Sequence, residues 1–132
     1  MNTVKAISAS DFVKLLEEDN SPHILDIRSQ LEFDSLQLEV NVTHTPLHEI
    51  KVEEYPHKQQ ETYILCKMGP RAFKLAELLA DLGHTHLSVI DGGILGCLES
   101  GAEIKIADPQ PNSHDIQQAV QSSFQEFMLK NA

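Results

Sequence analysis

Residues 63–79, YILCKMGPRAFKLAELL, constrain the fold of this chain more than any other stretch. The apolar run Tyr63-Ile64-Leu65 stops at Cys66, turns through Gly69 and Pro70, and enters a segment with helical spacing. Ala72, Leu75, Leu78, Leu79 and Leu82 fall on one face and Gly83 follows as a C-cap, so a helix is predicted over 71–82. A strand with no polar alternation suits a parallel sheet covered on both faces. Strand, tight loop and amphipathic helix in that order make half of a β-α-β unit.

The pattern recurs. His23-Ile24-Leu25-Asp26-Ile27 and residues 86–90 read as further buried strands, and 4–7 as a short one. Ser8-Ala9-Ser10-Asp11 has the form of a capping box ahead of Phe12, Leu15 and Leu16. Residues 28–42 are ambiguous, with a helical turn at 31–36 and a strand near 40–43 as candidates. Pro46 and residues 47–50 predict a short helix, and Gly92-Gly93 opens another that ends near Gly101. Such alternation predicts a parallel α/β sheet, whose ligands sit at the carboxyl ends of the strands. Cys66 is placed at one of those ends.

The tail is different. Pro109 and Pro111 mark a linker; Ser113 is the candidate cap, with Asp115 in the first turn. Ile116, Val120, Phe124, Phe127 and Met128 then form one apolar stripe. The expected organisation is a domain over 1–107 and a linker with a C-terminal amphipathic helix over 108–132. Packing on its own domain is the preferred use of that helix; docking a partner or forming a dimer is the alternative.

At 132 residues the chain buries about two-thirds of its unfolded surface and needs no disulfide. With two cysteines and a polar start, it reads as a cytoplasmic protein with reduced thiols. No window approaches the roughly 20 apolar residues of a membrane span. The net charge of −10 argues against a nucleic-acid partner. A small anion meets a repulsive field, so any anion site must be built locally from backbone amides and one or two cations. Only two arginines exist, Arg28 and Arg71.

The loop after residues 63–65 has the parts of such a site. Gly69 admits backbone dihedrals closed to other residues, so 67–70 can curl with amide N–H groups turned toward the sulfur. The helix that follows adds its positive end, and Lys67 and Arg71 add charge. Each of these favours thiolate, the nucleophilic form, over thiol. Pro70 offers no N–H but suits a first helical turn. The candidate site is therefore Cys66 as nucleophile, with Lys67, Met68, Gly69, Pro70 and Arg71 as the substrate-binding loop. The competing reading, a core thiol with solvated neighbours, leaves the Gly-Pro-Arg run unexplained.

The segment CKMGPRA resembles the active-site loop of rhodanese-type sulfurtransferases, C-x-x-G-x-R followed by a small residue. Asp26, Arg28, Glu32 and Phe33 match that family's D-x-R-x-x-x-E-[FY], ISASDFVKLL its usual first helix, and IDGGILGCLESGAEI its closing motif. Four ordered motifs spanning roughly 4–106 outweigh any one of them. Related phosphatases and arsenate reductases carry a loop one residue longer, so the shorter loop here favours sulfur over a tetrahedral oxyanion.

The resemblance implies a single rhodanese-like domain with a five-stranded parallel sheet flanked by helices, and a persulfide on Cys66. It implies a small anionic sulfur donor or a protein persulfide as partner, an acceptor that is a thiol, cyanide or a protein, and neither cofactor nor metal. It leaves Arg71 open between loop organiser and substrate contact, Lys67 open between contact and solvated cation, and Asp26 with Arg28 as a structural pair. Residues 34–45 depart from the family pattern, which leaves substrate identity open. Cys97 replaces the family's usual Trp and reads as a small apolar filler rather than a resolving thiol. His84 and His86 read as loop residues rather than metal ligands, since no Cys or carboxylate completes a set. A catalytically weak binding module is the alternative function.

Overall fold

The computed structural model describes residues 4–18 and 21–132; the first three residues of the predicted 1–107 unit lie outside it. Seven strands and five helices follow one another: β1 (Lys5–Ser8), α1 (Ala9–Glu18), β2 (His23–Asp26), α2 (Gln30–Ser35), β3 (Leu36–Leu38), β4 (Thr43–His44), β5 (Thr62–Leu65), α3 (Pro70–Asp81), β6 (Leu87–Asp91), α4 (Gly93–Glu99), β7 (Ile104–Ile106) and α5 (Ser113–Lys130). Short 3-10 turns at Leu47–Glu49 and Val52–Glu54 bridge β4 and β5. Five strands form one sheet in the order β1-β6-β5-β2-β4. Each pairing in it is parallel.

Alternation along the central strands explains the layers. Successive side chains of a strand point to opposite faces. Leu25, Ile64 and Val89 thus join Leu75 and Leu79 of α3 on one face. Their neighbours Ile24, Leu65 and Ile90 join Phe12 of α1 and Ile94 and Cys97 of α4 on the other. Ser8 Oγ accepts from Asp11 N–H at 3.1 Å, as the predicted cap requires.

Several boundaries differ from expectation. Residues 28–42 resolve into α2 and β3, and β3 pairs antiparallel with β7 in a separate small sheet that no sequence pattern announced. The strand expected near 40–43 falls at Thr43–His44. Leu82, assigned to the apolar face of α3, lies past the helix end and is exposed. Asn112, not Ser113, caps α5: its side chain accepts from His114 N–H at 2.8 Å and Asp115 N–H at 3.2 Å. The physical reason is that the cap side chain must precede the first helical residue, and Ser113 is that residue.

The apolar stripe of α5 faces its own domain through Phe124 and Phe127, while Met128, expected on the same stripe, lies at its margin and is 36% exposed. Phe127 is fully buried in the cluster that holds Leu47 and Ile50, with Phe124 packed alongside. Polar contacts fix the register. Ser123 Oγ lies 2.9 Å from His48 Nδ1, Asn131 Oδ1 accepts from Val52 N–H at 2.8 Å, and Lys130 Nζ donates to the His48 carbonyl at 2.6 Å. No described helix is long and apolar enough to cross a membrane.

Candidate active site

Cys66 follows β5 at the carboxyl end of the sheet's central strand. Gly69 takes φ +127°, a conformation L side chains rarely adopt, and acts as N-cap of α3 with Pro70 opening the helix. The turn brings Gly69 N–H to 3.1 Å from Cys66 Sγ, where it donates to the sulfur. Among the described residues it is the one amide shown to do so, fewer than the expected nest.

The loop's carbonyls face the other way. Ile94 N–H donates to the Cys66 carbonyl at 2.9 Å and Leu95 N–H to the Lys67 carbonyl at 3.2 Å. These amides lie in the first turn of α4, where a helix has no internal acceptor for them. The contact demands glycine at position 93, since a Cβ there would collide with the Lys67 carbonyl and the Cys66 oxygen.

Two ion pairs brace the site, one fully buried and one partly exposed. Arg28 and Asp26, each 1% exposed, pair at 2.8 Å, and Arg28 also donates to the carbonyls of Glu32 and Leu36. Arg71 donates through both terminal nitrogens to the two oxygens of Glu32, each at 2.7 Å. Burial opposes charge on both partners. The Arg71 hydrogen bonds and charge nevertheless bring the Glu32 carboxyl below its ordinary range, helped by Ser29. Glu32 likewise holds Arg71 above its ordinary value, with Cys66 and Asp26 contributing. Glu32 also accepts from Ser29 N–H at 2.9 Å and so completes the capping box of α2.

The predicted residues thus come together in unequal ways. Cys66 is fully buried, at 0% exposure, and Gly69 is buried beside it. Lys67 and Pro70 are exposed, Met68 projects at 60% exposure, and Arg71 is half-buried on Glu32. Cys97 is a free, buried core thiol whose pKa burial pushes up to about 11. Near the end of residues 34–45, where the family pattern lapses, the His44 ring stacks on Phe33 at 4.1 Å. His44 Nε2–H donates to the Arg28 carbonyl at 2.7 Å. The roles of Glu32 and Gly93 escaped the residue-by-residue reading. Their signals were present in the D-x-R-x-x-x-E spacing and in the Gly92-Gly93 pair.

Comparisons with known proteins agree with this fold. The solution structure of a rhodanese-like domain from an Anabaena sp. protein superposes with TM-score 0.68 at 16% identity, covering 84% of this chain and 87% of that one. A rhodanese-like domain protein from Staphylococcus aureus gives 0.63 at 26% identity, covering 77% and 99%. A Rhodopseudomonas palustris protein of unknown function, described as a possible tyrosine phosphatase, gives 0.65 at 19% identity, covering 77% and 85%. Among curated proteins no significant match is found. The model of the rhodanese-like domain matches residues 8–99, well over half of the sequence, and the chain belongs to that family.

Proposed function

We propose that this protein is a sulfurtransferase that carries a sulfane sulfur as a persulfide on Cys66. The observation that supports it best is the Gly69 N–H aimed at Cys66 Sγ at 3.1 Å, in a loop between a strand end and a helix start. A hydrogen bond to sulfur favours the thiolate, and the same amide would favour the terminal sulfur anion that follows. Cys66 thiolate attacks the outer sulfur of a donor R–S–S⁻ or thiosulfate. The new S–S bond forms as the old one breaks, and the leaving group departs as a thiolate or sulfite. An acceptor thiolate or cyanide then takes the sulfur and regenerates Cys66 thiolate. No electrons are gained or lost by the protein over the cycle. Free thiols at Cys66 and Cys97 suit a reducing cytoplasm.

A second reading, a binding module that transfers sulfur poorly, draws on the 0% exposure of Cys66. One experiment decides between them. Protein incubated with thiosulfate or a low-molecular-weight persulfide is digested and the Cys66 peptide weighed. Gain of one sulfur atom on Cys66, removed by cyanide and absent in Cys66→Ser, supports transfer. An unmodified Cys66 with both donors rules it out.

A further inference from the structure

Four of the seven histidines gather at the end of the sheet opposite Cys66. His23 begins β2, the segment holding His57 leads into β5, and His84 and His86 precede β6. Between the last two segments lies a cavity of about 130 Å³, whose polar wall includes His57, Lys58, Gln59, His84, Thr85 and His86. Each of these side chains carries a hydrogen-bond donor. Thr85 Oγ1 and His86 Nδ1 pair with each other at 3.1 Å, so that His86 presents its Nε2. No carboxylate lines the cavity. That is unlike the molecule as a whole, which has 20 acidic residues against 10 Lys and Arg.

His84 is the centre of it. Its residue is 8% exposed, and its ring stacks on His57 at 3.7 Å with 10° between planes. Tyr55 packs against the same ring at 5.7 Å. Among the described residues no side chain or backbone group hydrogen-bonds the His84 ring, and its nitrogens are not sealed from solvent. They are therefore free to meet a guest in the cavity that His84 lines. A metal ion fits poorly. Parallel stacked rings send their in-plane lone pairs side by side, and no ligand-like group of His, Cys, Asp or Glu occurs among the described residues.

We propose that this cavity binds a small tetrahedral oxyanion of the sulfate or phosphate kind, held by Lys58, His84 and His86. Charge and size both argue for that guest. The cavity falls well short of the roughly 300–1,000 Å³ of sites for larger organic ligands. Of the carboxylates that flank the lining segments, Glu54, Glu61 and Asp81, none lines the cavity, and Glu61 is already engaged by Lys5 Nζ at 2.8 Å and Ser88 Oγ at 3.1 Å. Further charged or titratable neighbours are Tyr55, His57, Lys5, which shares an adjoining hollow with His84, and, on β2, His23, which feels the charge of Lys58. Burial, and then His57, hold His84 below its ordinary pKa, so its positive charge arrives only as pH falls. An anion in the cavity would stabilise that charge, and binding must tighten in acid. The site is separate from the chemistry at Cys66 and stands or falls without it.

Sodium sulfate serves as the probe, since it stays dianionic where histidine titrates, with sodium chloride at equal ionic strength as control. Ring resonances of the histidines are followed by NMR at about pH 6 and about pH 8. The expected result is saturable shifts at His57, His84 and His86, at least about tenfold tighter at the lower pH, with His44 and His114 unmoved. His84→Phe keeps an aromatic ring for stacking and should abolish saturation at His57 and His86. The exposed Lys58→Gln should weaken binding severalfold without touching the fold, and Cys66→Ser should bind sulfate normally. Shifts that stay linear in sulfate, move all histidines alike, or persist unchanged in both His84→Phe and Lys58→Gln overturn the proposal and mark an adventitious ion only.

Discussion

Glu32 and Arg71 stand 39 residues apart in sequence and meet through two 2.7 Å hydrogen bonds, one from each terminal guanidinium nitrogen. The pair ties the first turn of α2 to the first turn of α3, and so closes one side of the loop that encloses Cys66. Glu32→Gln leaves Arg71 with half its partner and removes a buried charge balance. About 3 kcal/mol of stability should be lost, by analogy with other pairs broken on one side. Alkylation of Cys66 by iodoacetamide should also quicken as the loop loosens. A variant as stable and as slowly alkylated as the parent would show that the pair does not hold the loop. Arg71→Lys should behave alike, because an ammonium cannot make the two-pronged contact.

Gly93 tests the second brace. Its φ of +60° and the contact with the Lys67 carbonyl both forbid a side chain. Gly93→Ala should cost at least about 2 kcal/mol and disable sulfur loading of Cys66. Gly101→Ala is the control: φ is +92° but nothing lies within 4 Å, so it carries the backbone strain alone. Denaturant midpoints of equal size for the two variants would remove the loop contact from the explanation.

Phe127 tests whether the tail is part of the core. Fully buried among residues of the main domain, it should cost about 3–5 kcal/mol when replaced by Ala. Leu129, on the same helix but 80% exposed, should cost under about 0.5 kcal/mol. Urea unfolding of the two variants makes the comparison, and similar midpoints would mean that α5 is only loosely attached.

Stability should depend on pH through His23 and His84. Burial is the main cause at both, and it lowers their folded pKa from the ordinary 6.5. The unfolded chain therefore binds more protons in acid, so their contribution is intact above about 6.5 and is lost as pH falls through the folded values. In chloride buffer, melting temperature should decline on that side, and His84→Phe should flatten part of the decline. A variant profile parallel to the parent's would exclude His84 as the cause.

Cys97, with its pKa pushed up to about 11, is a neutral thiol at physiological pH. Cys97→Ala should leave persulfide loading on Cys66 unchanged, and peptide mapping of mildly oxidised protein should find no Cys66–Cys97 bridge. Such a bridge would make Cys97 a resolving thiol instead.

The central strands and α3 were legible because their signals are local. Three apolar residues in a row before Cys66, and Leu75, Leu78 and Leu79 at helical spacing, need no distant partner to be read. The loop's glycine, proline and cysteine were equally plain, since each imposes its own backbone or chemical demand. Asp26 and Arg28, expected as a charged pair at a strand end, do pair in the fold, each 1% exposed.

Other features depend on residues far apart in the chain. β3 and β7 have three residues each and acquire strand geometry only by pairing Leu38 with Ile104 across the molecule. The partner of Arg71, the closeness of Gly93 to the Lys67 carbonyl, and the complete burial of Cys66 likewise arise from packing. A single chain segment encodes its periodicity and its turns, because those energies are local. Which carboxylate reaches which guanidinium, and which helix covers which sulfur, is decided only when the sheet assembles and brings the ends of separate strands to one edge.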